Sequence, residues 1–180
     1  SLDQPVGPVL VRLGTTRATN ALLERKGARV AFLTTKGFGD VLSIGCQDRP
    51  DLFKLHIQKR EELYERVVEI DERVSATGHV LQVPCESQVQ EQLRALKFLG
   101  IEAVAICLLH AHVNPTHEEQ VAAIAASLGF SHISVSSRVA RVERIVPRGD
   151  TTVLDAYLSG VIRAYVDSLQ RSMPEARLQL

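Results

Sequence analysis

The 180-residue sequence predicts an α/β fold with a βαβ unit, a mixed sheet and one antiparallel hairpin. Three observations carry that reading. "EAVAICLLH" (102–110) is an unbroken apolar run of strand length, as expected for a strand covered on both faces. Between it and a second strand-like run, "SHISVSS" (131–137), Val121, Ile124, Ala125 and Leu128 recur at helical spacing. Strand, helix and strand in that register form a βαβ unit with a right-handed crossover. Finally, "YERVVEIDERVSATGHVLQVP" (64–84) alternates apolar and polar residues on both sides of Ala76-Thr77-Gly78, a hairpin signature.

The remaining elements follow in chain order. Val9 to Leu13 reads as extended, and Thr15 to Lys26 as a helix with Thr15 or Thr16 as its cap and Gly27 at a left-handed C′ position. "RVAFLTT" (29–35) is a buried strand of β-branched and aromatic residues, and Phe38, Val41 and Leu42 share a short helical face. Val89, Leu93, Leu96 and Leu99 mark an amphipathic helix that Ser87 and Gln90 open as a capping box and Gly100 ends. Asn114 caps and Pro115 opens the helix of the βαβ unit. "RIVPRGD" (144–150) reads as a linker, after which Asp150 caps a long helix from Thr151 to about Met173, closed by Pro174. The simplest organisation is one domain over 1–180 with a trailing helix over 150–173.

With 45% hydrophobic residues and zero formal net charge, the chain has an ordinary soluble composition. No basic block points to nucleic acid, and no apolar run approaches the roughly 18 residues of a membrane span, so a cytoplasmic protein is expected. Cys46, Cys85 and Cys107 are odd in number and far apart, which fits reduced thiols rather than a disulfide framework or a metal site. The start at Ser-Leu, without a signal sequence, reads as a fragment.

Four groups of residues bear on chemistry. In "LGTTRATNALLERKG" (13–27), Gly14, Thr15, Thr16 and Asn20 surround a helix start; they serve as a cap, or as a cradle for phosphate, carboxylate or carbonyl. His110 and His112, with His117 behind, follow a buried strand. An H-x-H there ligates metal in barrel-type cyclic-amide hydrolases, but a barrel needs roughly 250 residues and further ligands, so these histidines are expected to be structural or solvent-facing and no metal site is assigned. In "GCQDRPDLFKL" (45–55), Gln47 and Arg49 belong to a polar turn in which Arg49 is able to clamp a carboxylate. "VPRGDTTVLDAYL" repeats the pattern of glycine, hydroxyls and helix, with Arg148, Thr151 and Thr152 as anion-binding candidates. No Rossmann or P-loop glycine pattern and no G-x-S-x-G elbow is present, so a complete catalytic set is not legible.

The run "LGTTRATNALLERKGARVAFLTTKGFGDVLSIGCQDRPDLF" closely resembles the N-terminal region of the hydantoinase A/5-oxoprolinase family. "LGFSHISVSS" and "RIVPRGDTTVLDAYL" are more similar to the 5-oxoprolinase branch, and the resemblance covers essentially the whole chain. It implies part of an actin-like (ribonuclease H-like) ATPase domain in an enzyme that uses ATP and Mg2+ to open a cyclic amide, 5-oxoproline to glutamate or a hydantoin to its N-carbamoyl amino acid. Phosphorylation of the amide oxygen would turn it into a leaving group, and Gly14, Thr15, Thr16 and Asn20 would lie where a helix start faces the nucleotide–substrate cleft. Family members carry a D-x-GGT-x-TD phosphate loop upstream of the stretch matching Val9 and a large hydantoinase domain downstream. Neither is in this sequence, which therefore reads as either an excised piece or a degenerate homologue, and Cys46 stands where many members have Arg. The chain is therefore expected to be inactive alone and to require the remaining hydantoinase domains or a second subunit, in an oligomeric parent. The alternatives are a non-catalytic assembly module and, more distantly, a metal-dependent cyclic amidohydrolase.

Overall fold

Apolar runs of four to eight residues without alternation are stable as strands only where both faces are covered. Val30–Thr35 and Ala103–Cys107 meet that condition, since every residue in both is buried. The computed structural model describes residues 10–12, 14–46, 61–173 and 177–179. Its elements are β1 (Leu10–Arg12), α1 (Arg17–Leu23), β2 (Val30–Thr35), α2 (Val41–Ile44), β3 (Arg66–Ile70), β4 (Arg73–Val74), β5 (Val80–Gln82), α3 (Glu86–Phe98), β6 (Ala103–Cys107), α4 (Thr116–Ser127), β7 (His132–Val135), α5 (Ser136–Val139), α6 (Ile145–Ser172) and β8 (Arg177–Gln179). The chain divides into two compact units, Ala28–Tyr157 and Ser1–Gly27 with Leu158–Leu180.

In the larger unit the sheet runs β3-β2-β6-β7 with every pair parallel. The antiparallel pair β4–β5 is a separate ribbon, so the expected mixed sheet is a parallel sheet plus an antiparallel pair. The βαβ unit forms as β6–α4–β7. The stretch 64–84 is not one hairpin. Its first half, β3, is an edge strand parallel to β2, and its exposed Arg66, Val67 and Glu69 show why an edge strand mimics the alternation of a half-exposed hairpin.

One face of the sheet is closed by α3 and α4, through Val89, Leu93 and Leu96 of the first and Val121, Ile124 and Ala125 of the second against Leu33, Val104 and Ile106. The other face, with Phe32, Ala105 and Cys107, is bonded to α6: Ser134 Oγ donates to Asp155 Oδ2 at 2.6 Å. The chain places β3 on one side of β2 and β6 on the other, so the strand order reverses between β2 and β6. In parallel sheets that reversal opens a crevice at the carboxyl ends.

Several expected helix ends differ. The linker "RIVPRGD" is the first part of α6, which begins at Ile145, so Asp150 lies inside the helix rather than capping it. Pro147 sits in the first turn, where its missing N–H costs nothing. Gly149 carries the helix against α2, since a Cβ there would lie 2.8 Å from Leu42 Cδ2. At the end of α1 the left-handed residue is Arg25 (φ 54) instead of Gly27. Cys85 occupies the N-cap of α3 without a side-chain cap bond, so the Ser87–Gln90 box does not form. At α4 the N-cap is Pro115 rather than Asn114, one residue later than expected, although Asn114 Oδ1 still accepts from the Thr116 N–H at 3.1 Å and the Thr116 hydroxyl at 2.7 Å.

In the smaller unit β1 lies parallel to β8, and the Arg17 guanidinium sits 4.8 Å from the Tyr165 ring centroid. No described helix is long and apolar enough to cross a membrane.

Candidate functional site at the carboxyl edge of the sheet

Where β2 and β6 end, the sequence places Thr34-Thr35 beside Cys107-Leu108-Leu109, and Thr34 is the register partner of Cys107. Successive strand residues point to opposite faces, so Thr35 serves the α4 side and Thr34 the α6 side.

On the α4 side every buried charged group is engaged. Glu118, in the first turn of α4, is fully buried; its Oε1 accepts from the Leu108 N–H at 2.9 Å and the Ser136 hydroxyl at 2.6 Å, and its Oε2 accepts from the Ser137 N–H at 3.0 Å. One carboxylate thus ties together the exits of β6 and β7. Next to it, the Leu109 N–H donates to Thr35 Oγ1 at 2.8 Å, and the Thr35 hydroxyl donates to Glu72 Oε1. Glu72 Oε2 lies 2.6 Å from Nδ1 of the buried His117. Buried carboxylates are tolerated when their lone pairs are filled in this way.

The α6 side is different. Arg148 has no exposed surface, and its Nη2 donates to the Leu108 carbonyl at 2.7 Å. Its Nε and Nη1 have no acceptor, and neither does the buried hydroxyl of Thr34 have a partner. Cys107 is the register partner of Thr34, and its Sγ lies 3.9 Å from the Ile145 carbonyl, in the helical turn that carries Arg148. Burial pushes its thiol up to about 11, an effect that the neighbouring Arg148 charge partly offsets, so it is neutral near pH 7. The turn leaving β6 carries His110 in a left-handed conformation (φ 58) and His112, whose Nδ1 is buried without a partner. Burial, followed by the nearby Arg148 charge, lowers the His112 pKa. This edge offers hydrogen-bond donors and positive charge in a dry setting, which suits a negatively charged oxygen or a polarised carbonyl.

The candidates named from sequence distribute as follows. Arg148 is at the edge just described. Thr151 and Thr152 follow it, but their hydroxyls donate to the carbonyls of Pro147 and Arg148, each at 2.7 Å, one turn back in α6. Gly14, Thr15, Thr16 and Asn20 belong to the smaller unit and are exposed; Thr15 Oγ1 accepts from the Arg17 N–H at 3.2 Å, whereas Thr16, at the N-cap, makes no side-chain cap bond. Gln47 and Arg49 lie outside the described residues. Sequence reasoning missed Thr34, Thr35, Glu72 and Glu118. The usable signals were the paired threonines closing a buried strand and the Glu in the first turn of the helix that follows the buried strand β6.

Comparison with known proteins places this architecture. The family described as "Hydantoinase/oxoprolinase N-terminal region" matches residues 5–129. A 5-oxoprolinase of Saccharomyces cerevisiae is 42% identical over 193 aligned residues, covering 92% of this chain and 15% of that protein. The 5-oxoprolinase 1 of Arabidopsis thaliana is 43% identical over 175, covering 87% and 14%. The crystal structure of an ATP-dependent caprolactamase from Pseudomonas jessenii superposes with a TM-score of 0.83 at 27% identity, covering 94% of this chain and 26% of that one. The chain thus spans about a seventh of the length of these curated relatives. Its sequence and its fold together make it a member of the hydantoinase/oxoprolinase N-terminal-region family.

Proposed function

We propose that the chain is part of an ATP-dependent enzyme that opens a small cyclic amide, with 5-oxoproline as the first substrate to test and a hydantoin as the second. The supporting relatives are named for 5-oxoprolinase and ATP-dependent caprolactamase activities. The observation that carries the reading is Arg148: a fully buried guanidinium with two nitrogens lacking acceptors, at the point where the strand order reverses. An unstrained lactam is a poor electrophile, and ATP with Mg2+ supplies the phosphoryl group that activates the amide oxygen. The anion-seeking character of Arg148 fits such a ligand. This chain's own part is to hold charged oxygens in place, out of water, on a rigid strand edge.

On this reading the protein domain is an actin-like ATPase domain, cytoplasmic, working with the remaining hydantoinase domains or a second subunit in an oligomer. Gly14, Thr15, Thr16, Asn20, Gln47 and Arg49 are further candidates for contact with nucleotide or substrate. The test is a coupled ADP-release assay on the full-length parent with 5-oxoproline and hydantoin side by side. Release that depends on either amide supports the proposal; ATP turnover indifferent to both amides, or none at all, refutes it.

A further inference from the structure

We infer that Thr34 and Arg148 together form a buried receptor for one negatively charged oxygen of a ligand, either a carboxylate carried by the lactam or a phosphate of the nucleotide. This deepens the reading above and rests on it. Two adjoining elements bring the pair together. Thr34, the next-to-last residue of β2, lies directly across from Cys107, and Cys107 Sγ lies 3.9 Å from the carbonyl of Ile145, in the same helical turn as Arg148. Both groups are fully buried, and both are without partners where it matters: the Thr34 hydroxyl, and the three N–H bonds on Nε and Nη1 of Arg148.

The surroundings do not neutralise this charge. Among the described residues no carboxylate pairs with Arg148, because Glu118 spends both oxygens on Leu108, Ser136 and Ser137. Asp155 accepts the Ser134 hydroxyl. A buried cation left unpaired is costly, and so is a buried hydroxyl without a partner. Two such costs, one on each neighbour of Cys107, at a strand edge whose buried carboxylates Glu72 and Glu118 are both satisfied, identify a site whose missing partner is an anion. The pair differs in kind from a helix terminus: it consists of side chains, and one of them carries a full charge.

The experiment uses the full-length parent and its Thr34→Val, Arg148→Met and Arg148→Lys variants. For each, kcat and the KM values for 5-oxoproline and ATP are measured, together with the melting temperature with and without inorganic phosphate or 5-oxoproline. Thr34→Val is expected to melt at or above the wild-type temperature, because its hydroxyl has no partner to lose, and to drop in kcat/KM about tenfold. Arg148→Met is expected to lose about a hundredfold or more, with partial recovery in Arg148→Lys. A rise in KM for 5-oxoproline alone assigns the anion to the carboxylate; a rise for ATP alone assigns it to phosphate. Variants within twofold of wild type in both constants overturn the inference. If Arg148→Met does not fold, Thr34→Val decides. If the wild-type parent shows no amide-dependent ADP release, the functional reading fails separately, and the thermal shift with inorganic phosphate or 5-oxoproline, present in wild type and lost in Thr34→Val, still decides the receptor.

Discussion

The two faces of the sheet end in opposite ways. On the α4 face Glu118, Glu72 and His117 are buried and bonded, whereas on the α6 face Arg148 and Thr34 are buried and short of partners. Burial alone therefore does not mark a site in this molecule; satisfaction does. A saturated carboxylate is a rivet, and removing it leaves donors stranded. An unsaturated guanidinium is a standing cost to the fold, and removing it leaves little behind.

The largest effect should come from Glu118→Ala, which strands two backbone N–H groups and the Ser136 hydroxyl. A loss of about 3–5 kcal/mol in urea unfolding of the chain is expected, and a loss under 1 kcal/mol would erase the contrast between the faces. Glu72→Gln, which weakens the contact with His117 while keeping the shape, should cost about 2 kcal/mol in the same assay. Arg148→Met is the sharpest comparison. Although the side chain is as buried as Glu118, its change is expected to stay within about 1 kcal/mol, since losing the bond to the Leu108 carbonyl is offset by relief of an unpaired charge.

A pH titration sharpens the α6 face further. His112 has a folded-state pKa below the usual 6.5. Below pH 6.5 the unfolded chain binds a proton that the folded one resists, so stability should fall with pH across the window under 6.5. His112→Asn should flatten that part of a melting-temperature curve; an unchanged slope would assign it to other groups. The smallest effect concerns α1. Thr16→Val is expected to change stability by less than about 0.5 kcal/mol because no cap bond is lost, while Thr15→Val forfeits the bond from the Arg17 N–H and should cost more. A marked loss of turnover in either parent variant would make α1 a second contact region.

Much of the sheet was legible because its central strands are apolar on both faces, as in Ala103–Cys107, and because α3 and α4 keep strict helical spacing. The edge strand β3 was not, since one open face gives Arg66–Ile70 the same alternation as a hairpin arm. Nor was the start of α6, where proline and glycine read as a linker although Pro147 falls in a first turn and Gly149 under Leu42. Arg148 was visible as a residue type beside a presumed helix start. What makes it distinctive, full burial without an acceptor, depends on α6 beginning earlier and on the register that puts Cys107 next to Thr34. Glu72 and Glu118 look like any surface carboxylates until tertiary contacts fill their lone pairs.

The peptide group joining Leu108 and Leu109 has its carbonyl held by Arg148 and its N–H held by Thr35, which passes the bond on to Glu72 and from there to His117. In effect this is an ion pair with an amide spliced into it: positive charge at the oxygen end, negative charge beyond the hydrogen end, and the amide dipole aligned with both. Each charge polarises the link that the other one uses. Arg148 and Glu72 should therefore show non-additive energetics in a double-mutant cycle despite never touching, and an anion that quenches the guanidinium should loosen the grip on His117 across the thickness of the sheet.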